Sequence, residues 1–184
     1  MAKALYGAYL LAKAEKDGMS YFDKSLDGFW RSFLAAAIVA PIFFLLMTIR
    51  FVNGGVGTTA LRFTCIETIA YIIGWFFFPL VIFYLVQALG KEKQYFGFII
   101  AYNWASVIQN SIYLPFAILF EIGFIAGISA EFVNLILLLL VLAYTWFVAK
   151  TALDINSFVA TGIVLLDVGV WIMLNILTDF MLQA

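Results

Sequence analysis

The sequence predicts an all-α integral membrane protein, with five transmembrane helices preceded by a short amphipathic N-terminal helix, in a single membrane domain over residues 1–184. Three observations predict it. Of the residues, 66% are hydrophobic and 11% are charged, against about 45–50% and about 25% in soluble domains. A soluble fold of this size exposes too much surface to hide that apolar excess from water. The charges also bracket long uncharged runs, each near the roughly 20 residues that cross a hydrocarbon core of about 30 Å.

Residues 2–16 read as the amphipathic helix. At about 100° per residue, Ala4, Leu5, Ala8, Leu11 and Ala12 share one arc, while Lys3, Lys13, Lys16 and Asp17 fall opposite. Such a helix suits the membrane–water interface, or packs on the cytoplasmic ends of the other helices. Lys13, Glu15, Lys16 and Asp17 break the first apolar patch, so it lacks the core of a cleavable signal peptide. The first span is expected to serve as the insertion signal.

Asp17 to Asp27 reads as a polar loop, with Asp27 as N-cap of the next helix. The first span covers about residues 30–50, its ends marked by Arg31 and Arg50, whose long stems let both heads reach the interfaces. Val52 to Ala60 (VNGGVGTTA) is a turn without the Gly-Lys-Ser/Thr ending of a phosphate loop. The second span covers about 63–89, with Glu67 near its start, solvated or paired with Arg62. Lys91-Glu92-Lys93 is a tight charged turn, and the third span follows at about 95–120, closed by Glu121. Glu131 opens the fourth span, about 132–150, and Lys150 closes it; Asp154 and Asn156 mark the last turn, and the fifth span covers about 157–178.

Five spans put the termini on opposite sides, and lysine and arginine decide which side is inside. With the N-terminus cytoplasmic and the C-terminus outside, inner segments hold Lys3, Lys13, Lys16, Lys24, Arg31, Lys91, Lys93 and Lys150, and outer segments hold only Arg50 and Arg62. Trp30 and Trp146 then fit the cytoplasmic interface, whereas Trp104 and Trp171 lie deeper and are expected to fill space between helices.

Pro41, Pro79 and Pro115 each fall inside a different span. Each removes a backbone donor and frees the carbonyl four residues earlier, at Ala37, Trp75 and Ser111, so kinks are expected.

The third span carries the polar stretch YNWASVIQNS, Tyr102 to Ser111. Asn103, Ser106 and Asn110 share one face, and Tyr102 and Gln109 form an adjacent row. An unsatisfied amide in hydrocarbon costs several kcal/mol, so this face is expected to point inward, with at least one of Asn103, Ser106 and Asn110 meeting the fifth helix. There Asp167 lies mid-span, at the depth of Ser106 and Gln109, with no Lys or Arg at that level. The expectation is a neutral carboxylic acid bonded to Asn110 or Gln109, or an acid that protonates reversibly. Three roles fit it: a hydrogen-bonding link between helices, a proton- or ion-coupled group, or a contact to a partner subunit.

The same composition excludes much. Net charge is −1, so nothing attracts nucleic acid; there is no histidine, and the one cysteine, Cys65, forms no intrachain disulfide or Cys-based metal cluster. No catalytic, cofactor-binding or metal-ligating set is expected, and the carboxylates are scattered over both membrane faces, so no acid–base pair assembles for lipid chemistry.

Three stretches carry a family likeness: FDKSLDGFWRSF from Phe22 to Phe33, GWFFFPL around Pro79, and AYNWASVIQN from Ala101 to Asn110. In these and in its layout the chain resembles the bacterial branch of the Yip1-like family of five-span membrane proteins. The resemblance implies that fold, the bacterial inner (cytoplasmic) membrane, and association with other membrane proteins. Eukaryotic members bind small GTPases through an acidic cytosolic N-terminal region; the N-terminal segment here is short and mixed in charge. The expected function is a non-enzymatic scaffold or accessory subunit, a homo-oligomer or part of a larger membrane complex, with the bilayer as its other partner. The alternative is a small proton- or ion-coupled transporter or channel subunit using Asp167 and the polar face of the third helix.

Overall fold

A computed structural model describes residues 1–54 and 57–183, so the turn VNGGVGTTA is described except at residues 55 and 56. The described residues form α1 (Ala2–Ala12), α2 (Leu26–Ser32), α3 (Leu34–Val52), α4 (Ala60–Ala88), α5 (Tyr95–Glu121), α6 (Ile128–Leu153) and α7 (Ser157–Gln183), and no strand. Short 3₁₀ turns cover Lys16–Tyr21 and Glu92–Gln94. Only Phe33 interrupts the path from α2 into α3, so Leu26–Val52 acts as one apolar rod.

Among the described residues, four helices are long and apolar enough to cross a membrane: Leu26–Val52, α4, α6 and α7. α5 has 27 residues, matching α7 in length, but its polar run lowers its hydropathy. Burial compensates. Phe98, Ile99 and Ala101 have 0% exposure, and Trp104 has 3%. α1, α2, α3 and α6 pack around α5, while α7 lies against α4 and α6. α5 is therefore the axis of the bundle, with Asn103 of its polar run fully buried. α3, α4 and α5 each continue through their proline, Pro41, Pro79 and Pro115, without ending.

The N-terminal helix is shorter than the 2–16 expected. It stops at Ala12, Ala14 turns through a φ of 60°, and the 3₁₀ segment folds back beneath it. Its Ala8 and Leu11 face is buried on the bundle, where the Tyr144 hydroxyl donates to the Ala8 carbonyl at 2.6 Å. The packed alternative is the one observed; Tyr6 and Tyr9 stay exposed on the other side. The fold-back needs two glycines. A Cβ on Gly18 would stand 2.5 Å from the Gly7 carbonyl oxygen, and one on Gly7 would stand 2.8 Å from that of Gly18. Gly18→Ala is expected to release this hairpin and cost about 1–3 kcal/mol. Limited proteolysis should then cut at Lys16 well before it cuts the wild type.

Ser25, and not Asp27, caps α2: its backbone is extended, and its Oγ accepts the Gly28 N–H at 3.1 Å. Asp27 sits in the first turn and pairs with Arg31 at 2.9 Å. Before the cap, hydrogen bonds from Ser25 hold the Asp23 carboxyl below the usual carboxylate range. The stability this adds is complete above the ordinary carboxylate pKa and is lost as pH falls through the depressed value.

Polar contacts tie the two ends of the bundle separately. At the near end, beside α1, the Lys91 ammonium donates to the Asp154 carbonyl at 2.8 Å. At the far end, Asn53 Nδ2 donates to the Glu121 carbonyl at 2.9 Å, and Arg50 approaches the Glu121 carboxylate at 3.6 Å. Arg62 donates to the Met181 carbonyl at 2.7 Å, so it does not pair with Glu67.

Candidate functional site

The polar face of α5 is shared among three directions. Toward α2, Asn103, with 0% exposure, donates from Nδ2 to Ser32 Oγ at 2.8 Å, and the Ser32 hydroxyl donates to the Phe29 carbonyl at 2.7 Å. Toward α6, Gln109 Nε2 donates to Thr145 Oγ1 at 3.0 Å and to the Val141 carbonyl at 3.3 Å. Toward α7, the Tyr102 hydroxyl donates to Asp167 Oδ1 at 2.7 Å. Ser106 and Asn110 turn back on their own helix, to the carbonyls of Tyr102 and Ser106 at 2.9 and 2.8 Å.

This corrects the expected pairing. Asp167 meets Tyr102, not Asn110 or Gln109, and none of Asn103, Ser106 and Asn110 bonds to α7. The cause is distance. α7 is held by α4 and α6 and stands off from α5, so only a long side chain bridges the gap. The inward direction of the stripe is observed, with Asn103 fully buried and Ser106, Gln109 and Asn110 half-buried. Asn103 Oδ1 is buried and has no hydrogen-bond partner among the described residues.

The stand-off leaves a cavity of about 390 Å³ in the far half of the bundle, between α3, α4, α5 and α7. Tyr102, Ser106 and Asn110 line its α5 side. Tyr102 is backed by Phe78, whose ring stacks on it at 4.6 Å, and by Phe98 at 6.1 Å. Arg50, Glu67 and Asp179 contribute charge. Trp171 also lines it and is 63% exposed, so it does not fill space between helices as expected, whereas Trp104 does.

Tyrosine hydroxyls complete the polar links beside two of the prolines. Tyr71 donates to the Ala36 carbonyl at 2.6 Å, one residue before the carbonyl that Pro41 frees, and Tyr95 donates to the carbonyl of Pro79 itself at 2.9 Å. These bonds, like Ser32 and Thr145, escape sequence reasoning, because a hydroxyl on an apolar helix gives no sign of which neighbour it reaches. Among the described residues, no group of three His, Cys, Asp or Glu could hold a metal ion.

Tyr102→Phe removes only the donor to Asp167. It should lower stability by about 1 kcal/mol, in the range of single interhelical bonds in membranes. A double-mutant cycle with Asp167→Asn, read by thermal unfolding in detergent, should show coupling of that size.

Comparison with family models, curated proteins and solved structures found no match to this chain.

Proposed function

We propose that the chain is a non-enzymatic membrane scaffold or accessory subunit that associates with other membrane proteins. The observation that carries this reading is the use made of the polar groups. Asn103, Gln109 and Tyr102 bind α5 to three neighbours, α2, α6 and α7. Such an arrangement fixes a bundle.

In this reading α5 is the fifth span. Its 27 residues extend about 40 Å at 1.5 Å per residue, enough to cross. Its neighbours shield the polar groups that hydropathy counts against it. The near end, holding eight of the ten basic residues, is cytoplasmic, and the C-terminus lies outside. The bacterial inner membrane, a homo-oligomer or larger complex, and membership of the Yip1-like family belong to the same proposal. Extraction in a mild detergent followed by native mass spectrometry tests it: specific co-purifying subunits or a defined oligomer are expected, and repeated recovery of a lone monomer overturns it.

The Tyr102–Asp167 contact beneath a polar cavity favours a second reading, a small proton- or ion-coupled subunit. Asp167→Asn in a reconstituted flux assay separates the two. Flux in the native protein that the variant loses supports the second reading, and no flux in the native protein removes it.

A further inference from the structure

We infer that the far-half cavity is a binding site for an alkylammonium group. The inference does not depend on the scaffold reading. Three features of the cavity point to this chemistry.

The first is unbalanced charge. Glu67 of α4 and Asp179 of α7 share the cavity with one cation, Arg50 of α3, which already leans on the Glu121 carboxylate at 3.6 Å. Arg62, the other basic residue of the far end, is committed to the Met181 carbonyl. Glu67 is half-buried and makes no hydrogen bond or ion pair with any described residue. Arg50 attracts Glu67 across the cavity without closing to an ion pair, so a carboxylate held two turns into a membrane helix stays costly, and a bound cation relieves that cost.

The second is the wall. Tyr71 and Trp75 line the cavity with ring centroids 6.2 Å apart and planes inclined at 66°, which makes an aromatic corner. Tyr113 and Trp171 add two more rings from α5 and α7. Aromatic faces beside carboxylates are what an organic ammonium recognises, through cation–π attraction together with ion pairing.

The third is size and donor set. A volume of about 390 Å³ lies at the small end of ligand sites and admits an ammonium with a few carbons or methyl groups. The acids are too few and too separated for a metal: no group of three ligating side chains forms here or elsewhere among the described residues.

One ligand chemistry has two sources, the ethanolamine or choline headgroup of a lipid and a free amine. The full-length protein, with Trp30, Trp104 and Trp146 replaced by Phe so that only Trp75 and Trp171 of the cavity remain, is placed in nanodiscs of pure phosphatidylglycerol, which has no ammonium, and titrated with choline and with ethylamine while tryptophan fluorescence is read. Sodium chloride at equal ionic strength is the control. A saturable change with an amine and none with salt is expected. Glu67→Gln should weaken it about tenfold or more, Asp179→Asn should weaken it less, and Glu67→Asp should restore it in part. Repeating the titration in phosphatidylethanolamine nanodiscs separates the sources. A weaker response there shows the headgroup occupying the site, and an unchanged one assigns it to free amines. The inference is overturned if no amine gives a saturable response, or if Glu67→Gln and Asp179→Asn both bind as the wild type does.

Discussion

Phe98→Ala lowers the stability of the bundle by about 3–5 kcal/mol, the range for emptying a fully buried aromatic site. Phe98 has 0% exposure and touches the ring of Phe78 at a centroid distance of 6.3 Å and that of Tyr102 at 6.1 Å. Its removal opens a void behind Tyr102, which lines the cavity and donates to Asp167. The neighbours cannot collapse into it, because α1, α2, α3 and α6 all rest on the same helix. Thermal unfolding in detergent measures the loss. Leu140→Ala is the control: Leu140 is 60% exposed on α6, and its truncation should change stability by no more than about 0.5 kcal/mol. Equal losses at the two positions would mean that α5 is not the axis.

Gly28→Ala is the second large effect, at about 1–3 kcal/mol and with a local signature. A Cβ at Gly28 would collide with the Asp23 carbonyl oxygen and stand 2.8 Å from its carbonyl carbon, both backbone atoms that no rotamer change can move. The turn from Asp23 to Ser25 must open, which removes the Ser25 cap and frees the start of α2. Phe29, which packs edge-on or tilted against Trp30, Phe33, Tyr95 and Phe96, loses its footing. Hydrogen exchange should show faster exchange over residues 23–33 with α6 and α7 unchanged. Gly169→Ala makes the contrast. Nothing stands within 4 Å of a Cβ there, so alanine in α7 should be neutral or add up to about 1 kcal/mol.

The long apolar helices were legible because charge marks their ends: Arg50 at the close of α3, Glu131 in the first turn of α6, and Lys150 in its last. The inward face of α5 was legible too, since amides in hydrocarbon leave few alternatives. The partner of Asp167 was not. A helical wheel gives direction but not reach, and the gap between α5 and α7 selects the longer Tyr102 over the better-aligned amides. The cap of α2 turned on an equally tertiary detail. Ser25 and Asp27 both have capping side chains, and the close passage of Gly28 over Asp23 starts the helix at the serine. Hydropathy alone passes over α5, because it counts Asn103, Gln109 and Asn110 without knowing that they are enclosed. The cavity had no sequence signature at all; it arises because α7 packs on α4 and α6 but stands off from α5.

The central claim is that α5, despite its polar run, crosses the membrane as the enclosed axis of the bundle. Site-directed cysteine labelling tests it most directly. Cys65 is exposed, so it is first replaced by serine, and single cysteines are then placed at Glu92, before α5, and at Phe124, after it. In the proposed orientation, an impermeant maleimide added to sealed cells should label Phe124→Cys at once and Glu92→Cys only after the membrane is lysed. Labelling of both positions from the same side would contradict the account, since α5 would then not cross.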